Sequence, residues 1–141
     1  MTEVIIGNEF CDKVIPLINN AKNEIDILVY EWNFYPNQPG SAPQKFNQAI
    51  IKAQSKGVRI KAMLGRSSIS TIQKQNELQI LTPAIKTNIH AKLMIIDDKL
   101  AILGSHNYSY SAFTTNMEIS LLIDDESAIL RLKKLFNTIY R

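Results

Sequence analysis

The stretch IHAKLMIIDDKLAILGSHN, residues 89–107, carries the most informative pattern in the chain. Two apolar runs, residues 89–96 and 100–103, flank the polar letters DDK of residues 97–99. Short apolar runs bounded by turn residues are typical of buried strands. We therefore predict a β-hairpin whose two strands lie inside a sheet.

The segments on both sides of this hairpin alternate between strand and helix patterns. Further apolar runs predict strands over residues 3–6, 25–32, 58–64 and 117–123. Apolar residues at helical spacing predict helices over residues 10–18, 46–53 and 129–139, and residues 108–115 favour a short helix or a loop. Residues 33–43 are rich in Pro and Gly and predict a loop, while residues 65–79 are polar and partly helical in pattern. This alternation, without repeats or a linker, predicts one α/β domain over residues 1–141 with a mixed β-sheet flanked by helices.

Composition limits the classes of protein that the chain represents. Its 141 residues include 16 Lys+Arg and 13 Asp+Glu, which gives a net charge of +3 and permits attraction to phosphate-rich partners. Hydrophobic residues make up 45% of the chain, which argues against disorder. No apolar run approaches the roughly 18 residues that span a bilayer, and the N-terminus lacks a secretory pattern, so we expect no stable membrane association. The single cysteine, Cys11, suits a reducing compartment, and we expect a cytoplasmic protein.

The hairpin brings chemically useful side chains onto one face. Because side chains alternate along a strand, His90 and Lys92 are expected to point the same way. A two-residue turn at residues 98–99 would then pair Lys92 with Ser105 and His90 with Asn107. An imidazole, an ammonium, a hydroxyl and a carboxamide would meet in one patch, which suits a phosphate group and its attack by a nucleophile.

Each of these groups has a plausible chemical role. Lys92 supplies positive charge, while Ser105 and Asn107 offer hydrogen-bond donors to phosphoryl oxygens. His90 can attack phosphorus directly through a neutral ring nitrogen. A nucleophilic histidine needs its other ring nitrogen held, and Glu118 on the following strand is the candidate for this partner.

Other site types fit the residues less well. Two histidines and one distant cysteine do not make a tetrahedral zinc site, so we expect no metal. A hydrolase triad of Ser105, His90 and Asp97 would need a nucleophile elbow, which the sequence lacks. Asp97 lies beside the predicted turn, which favours hydrogen bonds to the backbone and a supporting role.

These residues resemble the signature of a known family. The pattern HxKxxxxD, followed after six residues by GSxN, is similar to the motif of the phospholipase D superfamily. The matching positions are His90, Lys92, Asp97, Gly104, Ser105 and Asn107. Glu118 falls where the small bacterial endonucleases of the family carry a glutamate that orients the histidine. The resemblance implies a phospholipase-D-like sandwich with one motif copy, in which Asp97 and Gly104 support the motif.

The resemblance also implies a mechanism. Family members hydrolyse phosphodiesters in two steps through a phosphohistidine, without a metal ion or another cofactor, and a second histidine protonates the leaving oxygen. One motif copy supplies one such histidine. His106 occupies the variable position of GSxN and should point away from Asn107. The resemblance therefore implies a homodimer in which two His90 side chains face each other across a twofold axis.

We accordingly expect a hydrolase, a phosphodiesterase that acts as an endonuclease on nucleic acid, with DNA favoured over RNA. A lipid phosphodiesterase of the phospholipase D type is one alternative, and a nucleic-acid-binding module without catalysis is another. Phe34 and Tyr35, at the start of the loop, either stack on nucleobases or pack on the edge of the sheet, and we favour packing.

Overall fold

The computed structural model describes residues 1–67, 71, 73–74 and 88–140. The described residues form a mixed sheet with helices on both faces, which confirms the predicted α/β class. Its strands are β1 Thr2–Ile6, β2 Glu24–Trp32, β3 Arg59–Ser67, β4 Leu93–Ile96, β5 Leu100–Gly104 and β6 Ile119–Ile123. The helices are α1 Phe10–Asn19, α2 Ala42–Ser55, α3 Tyr110–Thr114 and α4 Glu126–Ile139, with a 3-10 turn at Gly7–Glu9. Most of the predicted polar segment 65–79 lies outside the described residues.

The strand order across the sheet is β1-β6-β5-β4-β2-β3. Strands β2 and β3 run parallel, because the chain crosses over through α2 between them. The other neighbouring pairs are antiparallel, and β4 and β5 form the predicted hairpin in the middle of the sheet. Within the described ranges no helix is long and apolar enough to cross a bilayer.

Local sequence signals set the ends of the helices. The Ser41 side chain accepts a hydrogen bond from the Gln44 N–H at the start of α2, and Asp125 accepts one from the Ala128 N–H at 2.9 Å at the start of α4. Gly57 adopts a φ of +99° after α2, a left-handed conformation that glycine reaches without strain. Ser41 and Gly57 thus mark the beginning and the end of the crossover helix α2, and Asp125 marks the beginning of α4.

The two faces of the sheet carry separate apolar clusters. On one face α1 and α2 pack around Phe10, Phe46 and Trp32. On the other face α4 packs over β2, β3, β4 and β5, with Phe136 and Ile95 fully buried. Burying each such side chain contributes about 1.5–3 kcal/mol, so both clusters are needed to hold the sheet between its helices.

Strands β1 and β6 leave apolar side chains in solvent. Val4 pairs with Leu121 and Ile6 with Ile119 across the two strands, and their exposed fractions run from 37% to 55%. Leu135 of α4 is also half-exposed. We call these five residues the apolar face. Contiguous exposed apolar surface is typical of interaction sites.

A partly buried ion-pair cluster holds α4 against the beginning of β2. The Lys133 ammonium lies 2.6 Å from a Glu24 oxygen and 3.1 Å from an Asp98 oxygen, and it also contacts Asp26. Asp26 is 1% exposed, and burial raises the pKa of its carboxyl to about 7. Glu24, Asp26 and Asp98 are also spaced closely enough to share a cation, and the Lys133 ammonium contacts all three.

We predict that Lys133→Met lowers the free energy of unfolding by about 2–4 kcal/mol at pH 9, because a buried carboxylate then lacks its cation. In the folded state Asp26 keeps its proton up to about pH 7, whereas in the unfolded chain a carboxyl loses its proton at much lower pH. The contribution of Asp26 to the free energy of unfolding is therefore present at low pH and is lost as the pH rises through 7. At pH 6 Asp26 carries its proton in both proteins, and the difference between them should narrow. Urea unfolding at the two pH values measures this.

The matched control is Lys134→Met, since Lys134 is the next residue of α4 and is exposed. That variant should stay within about 0.5 kcal/mol of the parent protein. Equal losses in the two variants would show that the ion-pair cluster does not hold α4.

Candidate active site

The β4–β5 hairpin has a three-residue turn. Ile96 lies opposite Leu100, and both Asp97 and Asp98 adopt left-handed φ angles of 53° and 55°. The predicted two-residue turn is therefore wrong by one residue. The Gly104 N–H donates to the Lys92 carbonyl at 3.2 Å, so Lys92 lies opposite Gly104 and not Ser105.

The Asp97 carboxylate explains this turn. It accepts hydrogen bonds from the backbone N–H groups of Lys22, Asn23 and Glu24 at 2.8–3.0 Å. Although burial acts against the charge, these backbone donors hold the pKa of Asp97 below its usual value. The carboxylate is thus fixed in the turn and binds the loop that precedes β2.

His90 and Lys92 lie in the segment just before β4. The prediction that they lie on the strand itself is therefore wrong. Beyond Leu28, β2 turns to another partner, because the Glu31 N–H and carbonyl bond to the side chain of Asn107 and the backbone of Tyr108. Strand pairing with β4 therefore stops at Leu93, and the argument from side-chain alternation does not apply to His90 and Lys92.

An aromatic ring that the sequence analysis missed brings these two side chains together. The Tyr30 ring centroid lies 5.0 Å from that of His90 and 6.0 Å from the Lys92 ammonium nitrogen. His90 is exposed and Lys92 is half-buried. Tyr30 lies within a strand that the sequence predicts to be buried, so it was expected to belong to the core. Its contacts with His90 and Lys92 become visible only in the folded sheet.

Gly65 makes room for this arrangement. A Cβ atom at Gly65 would lie 2.4 Å from the Ile89 carbonyl oxygen and 2.8 Å from the Tyr30 ring. Gly104 is equally constrained, because its Cβ would lie 2.4 Å from the Ile119 carbonyl oxygen. Both glycines permit close approach of backbone beside the candidate site.

The Asn107 amide is oriented by the backbone of β2. Its Oδ1 accepts a hydrogen bond from the Glu31 N–H at 3.0 Å. The oxygen is therefore committed to the protein, and the NH₂ group is the end that can donate to a phosphoryl oxygen. Asn107 thus lies at the same end of β2 as Tyr30.

Ser105 and Glu118 form a pair of their own. The Ser105 hydroxyl donates to Glu118 Oε1 at 2.7 Å and accepts from the Ile119 N–H at 3.0 Å, while Asn116 donates to Glu118 Oε2 at 3.1 Å. The expected contact between Glu118 and His90 is thus replaced by contacts with Ser105 and Asn116. Since the hydroxyl proton points to Glu118, the structure does not show Ser105 as a free phosphate donor.

His106 is buried and has both ring nitrogens occupied. Nε2 lies 2.9 Å from the Gly7 carbonyl oxygen, and Nδ1 lies 2.7 Å from the Ser120 hydroxyl oxygen. A carbonyl only accepts, so Nε2 carries the proton and Nδ1 accepts from Ser120. Burial lowers the pKa of His106, in keeping with this neutral form. His90 is therefore the exposed member of the chain's two histidines.

Comparison with known proteins gives the family. Residues 14–140 match the family described as "Cardiolipin synthase, PLD-like domain". The chain belongs to the phospholipase D superfamily. The resemblance based on the motif residues is thereby confirmed.

Curated relatives include phospholipases D from two Rickettsia species. The protein from Rickettsia typhi is 35% identical over 104 residues, which cover 68% of this chain and 50% of that protein. The protein from Rickettsia conorii is 31% identical over 110 residues, which cover 74% of this chain and 54% of that protein. The chain spans about half the length of the curated relatives that it matches.

Solved structures share the phospholipase D fold over nearly the whole chain. The phospholipase D family member Nuc from Salmonella typhimurium has a TM-score of 0.81 and 21% identity, covering 99% of this chain and 95% of Nuc. NucT from Helicobacter pylori has a TM-score of 0.79 and 22% identity, covering 99% of this chain and 94% of NucT. These similarities establish the fold.

We predict that Tyr30→Leu lowers kcat on a chromogenic phosphodiester about 3- to 30-fold, because His90 and Lys92 lose the ring face that both contact. Tyr30→Phe is the matched control and should retain activity, since it keeps the ring and removes only the hydroxyl. Steady-state kinetics on bis(4-nitrophenyl) phosphate measure both variants. An equal loss in the Phe variant would show that the hydroxyl, and not the ring, is what the site needs.

Proposed function

We propose that this protein is a phosphodiesterase that hydrolyses nucleic acid, with DNA preferred to RNA, through a phosphohistidine on His90. The observation that carries this proposal is the meeting of an exposed imidazole and an ammonium at the ring of Tyr30. The anchored amide of Asn107 lies at the same end of β2 and offers its NH₂ group. This set can bind a phosphate and attack it.

The first step forms a covalent intermediate. A ring nitrogen of His90 attacks phosphorus, and the bond between phosphorus and the leaving oxygen breaks as the nitrogen–phosphorus bond forms. Lys92 and the Asn107 amide neutralise the non-bridging oxygens where charge develops. A second group, which acts as a general acid, gives the leaving oxygen its proton.

The second step releases the product. Water attacks phosphorus, the same second group takes the water proton, and the nitrogen–phosphorus bond breaks to restore His90. Because an ammonium and an amide bind the oxygens, we propose that neither a metal ion nor another cofactor is required. Glu118 stays in the proposal as the charged group at the edge of the site, held by Ser105 and Asn116.

The second acid comes from another copy of the chain. His106 is buried, and its two ring nitrogens bond to Gly7 and Ser120, so it is not available to substrate. A homodimer would supply His90 of a second copy across a twofold axis. In each site, His90 of one copy would act as the nucleophile and His90 of the other copy would act as the acid.

The apolar face is the surface that we assign to this dimer. A groove of about 400 Å³ beside it is lined by Ile119, Leu121 and Leu135 and also by Lys92 and Gly104. The apolar face is therefore continuous with the candidate site. A partner that covers it would therefore also lie beside Lys92, as the proposed dimer requires.

Two observations favour nucleic acid as the substrate. The net charge of +3 suits a polyanion. The chain also shares its fold with Nuc and NucT, and its motif residues resemble those of the small bacterial endonucleases of the family. Cys11 is a free, buried thiol, which supports our proposal of a reducing, cytoplasmic location.

A lipid phosphodiesterase is the second candidate. It is supported by the 35% identity to a phospholipase D and by the apolar groove beside Lys92, where an acyl chain would fit in place of a partner. The two candidates differ in substrate and share the same nucleophile, so one set of assays distinguishes them.

We predict that the protein cleaves single-stranded or plasmid DNA faster than RNA and does not cleave phosphatidylcholine vesicles. Cleavage should persist in EDTA, because the phosphate ligands are an ammonium and an amide. Gel assays and head-group release, each with and without EDTA, measure this. Head-group release without DNA cleavage would establish the lipid candidate instead.

The His90→Ala variant is the control for the nucleophile. It should abolish turnover and also the acid-labile, base-stable adduct that quenching during turnover traps on the parent protein. Activity that survives in this variant, or inversion at phosphorus without an adduct, would show that water attacks directly.

We predict that Leu121→Glu converts the dimer to a monomer and lowers activity at least tenfold, because two carboxylates would then meet in a dry interface. Leu130→Glu is the matched control. Leu130 is 57% exposed and lies about 200° around α4 from the groove residue Leu132. Sedimentation velocity and activity at one concentration measure both variants. A parent protein that is monomeric and fully active would contradict the proposal.

A further inference from the structure

Two tyrosines lie beyond the candidate site with no role in the chemistry described above. Tyr35 follows β2 and Tyr110 begins α3, and their ring centroids are 6.2 Å apart with the planes at 62°. Tyr110 is 45% exposed and Tyr35 is half-buried. In such an edge-to-face pair each ring covers at most one face of the other, so aromatic surface remains open to solvent. We call these two residues the tyrosine pair.

Hydrogen bonds fix Tyr35 and the backbone of Tyr110. The Tyr110 N–H donates to the Tyr35 hydroxyl oxygen at 2.7 Å. The Tyr35 N–H donates to Gln44 Oε1 at 2.7 Å, and Gln44 is a buried residue of α2. Tyr35 is thus fixed at its backbone and at the end of its ring. A preorganised aromatic group loses little conformational entropy when it binds a ligand.

The same backbone contacts that build the site lead to the tyrosine pair. The Tyr108 N–H donates to the Glu31 carbonyl at 2.9 Å, and the Asn33 N–H donates to the Tyr108 carbonyl at 3.0 Å. Asn107 and Tyr110 therefore belong to one short segment held against the end of β2. The three-residue step between them spans at most about 11 Å. This distance is about three nucleotides at the 3.4 Å spacing of a stacked strand.

The neighbouring Phe34 behaves differently. Its side chain is 6% exposed and stacks on Trp32 at a centroid distance of 5.6 Å. Phe34 therefore packs against the sheet, as the sequence analysis favoured for both aromatic residues. Tyr35 does not follow it into the core, because its hydroxyl reaches out to Tyr110. Of the two aromatic residues at the start of the loop, Tyr35 is thus the one that contributes to the tyrosine pair.

We propose that Tyr110, backed by Tyr35, is a stacking surface for an unpaired nucleobase within three nucleotides of the scissile phosphate. The inference rests on the proposed nuclease function and adds to it a preference for single-stranded nucleic acid. In a duplex both faces of a base are covered by its neighbours, so a base must be unpaired and unstacked before it can reach Tyr110. Stacking on an aromatic ring is indifferent to base identity, so the preference concerns strandedness and not sequence.

The test is a cycle of protein and substrate changes. The substrate is a thymidine hexanucleotide whose central phosphodiester is cleavable and whose other linkages are neutral methylphosphonates, compared with versions that carry an abasic site at each position in turn. Tyr110→Leu removes the ring and keeps the backbone N–H that bonds to Tyr35. Tyr110→Phe is the matched control and keeps the ring.

The parent protein should cleave the full substrate about 5- to 100-fold faster, in kcat/KM, than the version abasic at one position near the scissile bond. The Tyr110→Leu variant should lose this difference, and the Tyr110→Phe variant should keep it. The parent should also prefer a single-stranded oligonucleotide to the same strand in a duplex, and Tyr110→Leu should slow cleavage of the single strand only.

Two outcomes would overturn the inference and remain distinct from each other. If Tyr110→Leu retains the difference between full and abasic substrates, the tyrosine pair does not bind a base, although the nuclease function stands. If the parent hydrolyses bis(4-nitrophenyl) phosphate but no oligonucleotide, the nuclease function itself fails. Hydrolysis of bis(4-nitrophenyl) phosphate by Tyr110→Leu reports whether that variant is folded and competent in phosphodiester chemistry.

Discussion

The rest of the site depends on one carboxylate. Asp97 accepts three backbone hydrogen bonds from residues 22–24 and thereby joins the hairpin turn to the start of β2. That attachment makes the turn three residues long and sets the register in which Lys92 lies opposite Gly104. Asp97 therefore influences where His90 and Lys92 lie, because it sets the register of the hairpin that follows them.

Much of the fold follows from pattern alone. The central strands are buried on both faces, so their sequences are continuous apolar runs. In the helices, apolar residues recur at helical spacing. The same runs predict the hairpin around residues 97–99. Its register could not be predicted in the same way, because turn length depends on Asp97 binding a loop more than seventy residues earlier in the chain. No local pattern carries that contact.

The candidate site shows the same division. Spacing was enough to single out His90 and Lys92, which the structure brings to one ring. That ring, Tyr30, was missed because a tyrosine in an apolar strand has the pattern of core. The contact between Glu118 and Ser105 was not predicted, because it depends on the pairing of β5 with β6, in which Gly104 lies opposite Ser120. Contacts between strands far apart in sequence are a property of the sheet, and the side chains alone do not reveal them.

The two ends of strand β2 have different roles. Its first residues, Glu24 and Asp26, hold α4 through Lys133, while its last residues, Tyr30 and Glu31, touch the chemical groups of the site. At about 3.3 Å per residue the two ends lie roughly 20 Å apart, beyond the range at which substitutions usually couple. Side-chain substitutions at these two ends should therefore have additive effects, whereas Asp97 links the start of β2 to the hairpin and affects both ends. Protein engineering could therefore raise stability near Lys133 and change substrate preference near Tyr30 in one variant, as long as Asp97 is kept.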